Sequence, residues 1–246
     1  MLSDDRKNRI LELYQRSDAR SIYTYSDFMS STTIAEVKEL VKREVVFFGG
    51  VEFAERKMAR FGLEENVGYE ENFPIKIIKV VLIGGKFASP LTHRDVLGAT
   101  LNLGIDRQKL GDIFVNGQFS YIICDEKVAP LILSELSQIG RNKVEVEEVF
   151  SIPEEFAPKK EEREFPVSSN RADSIICKVF NLSRDDGSSL VKSGLVTING
   201  KPLSQAGKGL QNGETVAVRG YGKFTFVGEG RTSAKGKIYI KVEIFK

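Results

Sequence analysis

The stretch from residue 75 to 149 decides the fold. It begins Ile75-Lys76-Ile77-Ile78-Lys79-Val80-Val81-Leu82-Ile83, a β-branched run that predicts a buried strand ended by Gly84-Gly85. Leu91 to Leu103 follows with Val96, Leu97, Leu101 and Leu103 as its apolar positions and Gly104 beyond its end, which predicts a helix. Asp112 to Val115 and Gln118 to Cys124 are two strands, with Asn116-Gly117 between them as a type I′ hairpin turn. Val128 to Leu136 is a second helix, with Leu131, Ile132 and Leu136 facing inward. The alternation Val144-Glu145-Val146-Glu147-Glu148-Val149 closes the series as a last strand.

The order βαββαβ predicts a split βαβ, ferredoxin-like sandwich over residues 74–150, the topology RNA-recognition-motif domains share. Topology alone assigns no RNA. Phe119, Tyr121 and Ile123 share the strand face where such domains stack bases, but the basic and glycine residues of that signature are absent, so core packing is the better reading.

On the N-terminal side, residues 1–73 read as a small, mostly helical α/β unit. Ile10, Leu11, Leu13 and Tyr14 form one helix face. Thr33 can cap a second helix with Ile34, Val37, Leu40 and Val41 on one side, Val45 to Phe48 is a short strand, and Gly49-Gly50 leads into a helix at 51–61. On the C-terminal side, residues 151–166 hold Pro153, Pro158 and Pro166 amid dense charge, which predicts an exposed linker. Residues 167–246 read as two helices followed by strands: Asn170 to Phe180, then a helix capped by Ser183 and stopped by Gly194, then Val196-Thr197-Ile198 with its Asn199-Gly200 turn. Asn212-Gly213 precedes a strand from Thr215 to Val218, and Ile238, Ile240, Val242 and Ile244 alternate at period two. The fold class expected is therefore α+β.

Composition excludes several classes. The chain has 246 residues, 28% of them charged and 41% hydrophobic, a globular balance rather than a disordered one. No apolar run approaches the roughly 20 residues of a membrane helix, and the N-terminus lacks the apolar core of a secretion signal, so a cytoplasmic location without a membrane span is expected. Two distant cysteines, Cys124 and Cys177, and one histidine leave no disulfide scaffold and no Cys/His metal cluster. No cofactor is expected. The net charge of +2 hides a division: residues 1–165 carry 23 basic and 28 acidic side chains, residues 166–246 carry 13 and 6. The basic third points to a nucleic-acid-binding module on a mildly acidic body.

Within that third, Arg171-Ala172-Asp173, Ser183-Arg184, the run Val191-Lys192-Ser193-Gly194-Leu195-Val196-Thr197-Ile198-Asn199-Gly200-Lys201, and Asn212-Gly213-Glu214 resemble the S-four RNA-binding domain, the helix-helix-strand fold named for a small-subunit ribosomal protein. The two helices can present Arg171, Arg184 and Lys192 on one surface with Lys201 beside it, and guanidinium forks and ammonium groups suit phosphate. The helix start at Ser183 offers backbone N–H groups to an anion, against which Asp185 and Asp186 work. Gly228 to Lys237, with Arg231, Lys235 and Lys237, reads as a glycine-loosened basic link between the last two strands that could fold onto RNA, or as a plain hairpin. Phe224 and Tyr221 nearby are read as core rather than base-stacking groups.

A second constellation runs from Ser89-Pro90-Leu91-Thr92-His93-Arg94-Asp95-Val96-Leu97-Gly98-Ala99 to Leu103-Gly104-Ile105-Asp106-Arg107-Gln108-Lys109-Leu110-Gly111-Asp112-Ile113. With Gly49-Gly50-Val51-Glu52-Phe53-Ala54-Glu55-Arg56-Lys57, it resembles the bacterial YlmH-type RNA-binding proteins found near cell-division genes. The resemblance spans nearly the whole chain. It implies a cytoplasmic RNA-binding protein connected with ribosomes, its setting the large subunit carrying stalled peptidyl-tRNA, and hence rRNA or tRNA and ribosomal proteins as partners. Read from the residues, His93, Arg94, Asp95, Arg107 and Lys109 form either a polar surface facing RNA or protein, or a helix capped by Thr92 and Asp95 over an ion-pair network.

Enzyme signals are weak. His93 is the one candidate general base near neutral pH and has no nucleophile near it in sequence. No phosphate-binding loop signature occurs, and both cysteines sit among isoleucines as packed thiols. The expectation is a non-catalytic RNA-binding protein. An RNA-modifying enzyme of the pseudouridine-synthase kind and a cell-division adaptor are the alternatives.

Overall fold

A computed structural model describes residues 2–84, 89–234 and 236–246. Among these residues it is a mixed α and β structure with seven α-helices and three antiparallel sheets. It divides into two compact units, Met1–Ala157 and Pro158–Lys246.

In the first unit, α1 (Asp4–Arg20) and α2 (Ser31–Leu40) pack against a three-stranded sheet of β1 (Thr24–Tyr25), β3 (Met58–Phe61) and β2 (Val46–Phe48), in the order β1-β3-β2. Ile10 and Leu13 meet Val37, Val41 and Phe61 in one apolar cluster. The cap of α2 is Ser30, whose hydroxyl accepts the Thr33 N–H at 3.3 Å, so Thr33 is the receiving residue and not the cap. The helix expected at 51–61 is instead a series of turns followed by β3. The chain doubles back on Gly49 so tightly that a Cβ there would overlap the Arg56 carbonyl oxygen. The N–H groups of Glu55 and Arg56 both bond to Asp112 Oδ2. Tertiary acceptors thus take the amides a helix would have used. A short helix, α3 (Glu64–Val67), follows.

The second sheet of this unit is built from β4 (Ile75–Ile83), β5 (Leu110–Val115), β6 (Phe119–Asp125), β7 (Gln138–Ile139) and β8 (Asn142–Val149), in the order β5-β6-β4-β8-β7. The helices α4 (His93–Asn102) and α5 (Ala129–Glu135) alternate with its strands along the chain. Because β4 is central, its side chains are apolar toward both faces. Ile78 and Val80 pack with Val96, Ile122, Ile132 and Leu136 under the helices. Ile77, Tyr121 and Ile123 face the other way, onto Phe28, Met58 and Ile152. The β5–β6 turn uses Gly117 at φ +84, whereas Asn116 keeps a negative φ, so it is not type I′: Asn116 and Phe119 pair, and Gly117-Gln118 make the bend. Gly84 sits at φ +136, and Gly85, expected with it to end the strand, lies outside the described residues.

The second unit is a six-stranded sheet, β11-β10-β12-β13-β14-β9, with α6 (Ala172–Val179) and α7 (Arg184–Lys192) against it. Its strands are β9 (Lys160–Val167), β10 (Val196–Ile198), β11 (Lys201–Pro202), β12 (Thr215–Val218), β13 (Gly222–Thr232) and β14 (Ile238–Phe245). Asn199 and Gly200 both take positive φ, as a type I′ turn needs, and join Ile198 to Lys201. Two expectations fail here. The segment 151–166 is not simply an exposed linker: Ile152 and Phe156 pack in the first unit, and Lys160–Val167 pairs residue for residue with β14, from Phe245↔Lys160 to Ile238↔Val167. Charge and Pro166 mark this segment as an edge strand rather than as unstructured chain. Likewise, of the two readings given for the stretch from Gly228, the loose link fails and the plain hairpin holds. Gly228 to Thr232 is ladder, with bulges that absorb the glycines, and its turn is closed by Ser233 N–H to the Lys237 carbonyl at 2.7 Å.

Candidate nucleic-acid interface

The new boundary leaves the charge division intact: residues 158–246 hold 16 basic and 9 acidic side chains. The structure decides which of those charges are spent. Along the outer strands β9 and β14, Lys160 pairs with Glu243, Lys241 with Glu162, and Glu161 with both Arg163 and Lys246. That face is neutralised. Around the helices it is different. Arg184 and Lys192 are exposed and make no ion pair among the described residues.

Arg171 is not a free phosphate ligand as expected. Its guanidinium makes a two-pronged bond to Asp173, Nε to Oδ1 at 3.1 Å and Nη2 to Oδ2 at 2.7 Å, and lies against Gly207. That pairing raises the Arg171 pKa and lowers that of Asp173. Nor is the start of α6 open, because the N–H groups of Ala172 and Asp173 bond to the carbonyls of Lys208 and Ala206. The start of α7 is occupied in the same sense. Ser183 Oγ accepts the Asp186 N–H at 3.1 Å and donates to Asp186 Oδ2 at 2.6 Å, which puts a carboxylate where an incoming anion would bind.

Arg171 and Arg184 do share one cleft of about 250 Å³, with the hydroxyls of Ser168, Ser169 and Ser174 on its walls. Lys192 lies eight residues beyond Arg184, about 12 Å further along the helix. There α7 ends, Ser193 and Gly194 follow it, and the next residue, Leu195, accepts the N–H of Arg219 through its carbonyl at 2.9 Å. Arg219 is exposed and escaped the sequence reading. Its one linear signal is a basic residue at the end of a strand, and only the strand order carries it to the end of α7. Lys201 is exposed at the β10–β11 hairpin. Arg231 stacks on the Tyr239 ring at 4.7 Å, and Lys237 closes the β13–β14 turn, so neither joins the α7 group. Lys235 lies outside the described residues. Phe224 is buried and Tyr221 half exposed beside Phe180.

In the first unit, the central constellation separates into two places. Thr92 and Asp95 form the capping box of α4: Thr92 Oγ1 accepts the Asp95 N–H at 3.3 Å, and Asp95 Oδ2 accepts the Thr92 N–H at 3.0 Å. Thr92 Oγ1, which donates to Asp95 Oδ2 at 2.6 Å, and then the Thr92 N–H hold the Asp95 carboxyl below its ordinary pKa, and His93 and Arg94 are exposed beside it. Arg107 and Lys109 lie elsewhere, at a cleft of about 610 Å³ that also meets α1 and residues 23–30. Lys109 is held there by Asp27 at 2.5 Å and Asp125 at 3.0 Å. The sheet face bearing Phe119, Tyr121 and Ile123 is core. Tyr121 is 6% exposed and packs edge-on to Phe156, with ring centroids 4.8 Å apart. Cys124 is buried, which pushes its thiol up to about 12; Cys177 is only partly buried, its thiol raised less far, and its Sγ donates to the Ser183 carbonyl.

Residues 69–151, which hold this second sheet and its two helices, match the family model described as "Putative RNA-binding domain in YlmH". The ribosome-associated protein quality control protein P2 of Bacillus subtilis (strain 168) is 32% identical over 193 residues, covering 76% of this chain and 73% of that protein. The chain belongs to the YlmH family. Among solved structures, the cell division protein ylmH from Streptococcus pneumoniae aligns at 20% identity with a TM-score of 0.48, over 61% of this chain and 93% of that one. For this YlmH-family chain the matched segment includes the capped helix α4, Arg107 and Lys109, and it stops before the basic second unit begins.

Proposed function

We propose that this YlmH-family chain is a non-catalytic, cytoplasmic RNA-binding protein of the ribosome, docking on rRNA or tRNA of the large subunit during translation or the quality control of stalled ribosomes. The second unit acts as an S-four-type module and supplies most of the phosphate affinity. In the first unit, an α/β part precedes a ferredoxin-like, RRM-like sandwich, and both orient the module or touch ribosomal protein. The match to an RNA-binding family model and the name of the Bacillus relative support this reading. The observation that carries it is the sorting of charge. Basic groups on the β9–β14 face are spent on carboxylates, while Arg184, Lys192 and Arg219 stand exposed around α7. Such contacts hold a backbone without reading bases, and their strength falls with salt.

The test is a salt titration of binding to purified large subunits and to deproteinised rRNA. Replacing Arg184 and Lys192 together by alanine weakens binding at least tenfold at low salt. It also flattens the slope of log K against log salt by roughly 0.7 to 0.9 for each phosphate that is no longer neutralised. Unchanged affinity and slope remove the surface around α7 from the interface.

A further inference from the structure

We propose that the cleft of the first unit, between α1, residues 23–30 and the turn at 106–109, is a phosphate-binding site formed by Arg6, Arg16, Arg56 and Arg107. This goes beyond the reading above, which gives the first unit no defined RNA contact, and does not depend on it.

The cleft has a volume of about 610 Å³, within the range of roughly 300 to 1,000 Å³ usual for small-molecule sites. Its floor carries a pair of guanidinium groups fixed side by side. Arg56 Nε at 3.0 Å and Arg107 Nη1 at 2.7 Å donate to the same acceptor, the Leu110 carbonyl. Arg56 Nη2 also donates to the carbonyls of Phe28 and Arg107, and Arg107 Nη1 to that of Gly111. Neutral carbonyls therefore position both cations, and no carboxylate pairs with either side chain among the described residues. Asp112, which lies close by, is spent on the backbone N–H groups of Glu55 and Arg56. Burial first, then the neighbouring cations Arg107 and Arg6, pull Arg56 down to about 10, a fall that the nearby Asp112 carboxylate offsets only in part.

The wall opposite adds to this excess. On α1, Arg6, Arg9 and Arg16 follow the spacing of Ile10 and Leu13, so they rim the cleft on the helix side that packs inward. Arg9 is paired with Glu12, but Arg6 and Arg16 make no ion pair or hydrogen bond among the described residues. Of the acidic side chains that line the cleft, Asp27 and Asp125 hold Lys109, while Glu71, Asp106 and Glu126 also lie on its wall, against seven basic side chains. On the floor, Arg56 Nη1 and Arg107 Nε and Nη2 make no hydrogen bond among the described residues. Planar donor forks match phosphate oxygens in pairs, and several of them around one cleft suit a group with more than two oxygens. The phosphate can be that of an RNA strand or of a free mononucleotide.

The chain has three methionines, and two of them, Met29 and Met58, line this cleft. The test is methyl NMR of the full chain labelled at methionine. It is titrated separately with inorganic phosphate, adenosine monophosphate, a single-stranded RNA hexamer and, as control, acetate. The expected result is a saturable shift of the Met29 and Met58 signals with at least one phosphate-bearing probe, weakened at least tenfold by Arg6→Glu with Arg16→Glu. Saturation by phosphate or the mononucleotide identifies a free phosphate as the ligand, and saturation by the hexamer alone identifies an RNA strand. Arg16→Gln, which removes charge without reversing it, weakens binding by a smaller factor and guards against a folding defect in the double variant. Three results overturn the site: no shift with any phosphate probe, an equal response to acetate, or an affinity unchanged in both variants.

Discussion

Gly187 lies inside α7, where glycine ordinarily costs about 1 kcal/mol against alanine. Here that preference is reversed, because a Cβ at this position would overlap Cys177 Sγ on α6. The glycine lets the two helices approach. Gly187→Ala is therefore expected to destabilise the second unit by about 1 to 3 kcal/mol through overpacking. In a Cys177→Ala background, the same change becomes neutral or stabilising. Urea unfolding of the four proteins of this cycle checks it, and a more stable Gly187→Ala in the parent background would refute the close approach. Sequence reading at this scale is uneven for a physical reason. The Thr92–Asp95 capping box is legible because its bonds span three residues. The commitment of Arg171 to Asp173, rather than to phosphate, depends on a side-chain rotamer that no spacing specifies.

At the scale of elements, β9 is the instructive case. Its first five side chains are all charged, so it carries no period-two apolar signal, yet each residue has a partner on β14. The backbone ladder to β14 holds it on the sheet edge, and ion pairs across and along the strand add to that. Arg163 first, and Lys246 with it, draw the Glu161 carboxyl down to about 2 from an ordinary 4.5. The sign follows from linkage: a carboxylate held low in the folded state stabilises fully above its unfolded value, and that contribution is lost as pH falls from about 4.5 toward 2. Glu161→Gln is expected to lower the urea midpoint of the second unit at pH 7, with the gap closing by pH 2. A gap independent of pH would mean that the pairing contributes nothing. The helix expected at 51–61 fails for a related reason, since the acceptors of its amides lie on Asp112, more than fifty residues away.

For the molecule as a whole, there are two compact units, each with a core of its own. Tyr121→Ala, which empties a buried site in the first unit, is expected to lower the stability of that unit by about 3 to 5 kcal/mol. It leaves the transition of the second unit in place, and below both transitions RNA affinity is unchanged. Calorimetry with one binding isotherm checks both. A loss of affinity without a loss of stability would make the Tyr121 face an RNA surface after all.

The sequence by itself determined the main strand and helix order over residues 75–149, the capped helix α4, the Asn199-Gly200 turn and the split between an acidic body and a basic end. Each of these is written in local periodicity, local hydrogen bonding or simple charge counts. It also carried the motifs that make the family legible. Only the tertiary structure decided which charges are spent. It covered the Tyr121 face with the chain's own residues, bound Arg171 to Asp173, placed Arg219 by the end of α7, and seated Arg56 and Arg107 on one carbonyl. Those outcomes rest on contacts between residues distant in sequence, whose energies depend on burial and geometry rather than on neighbours along the chain.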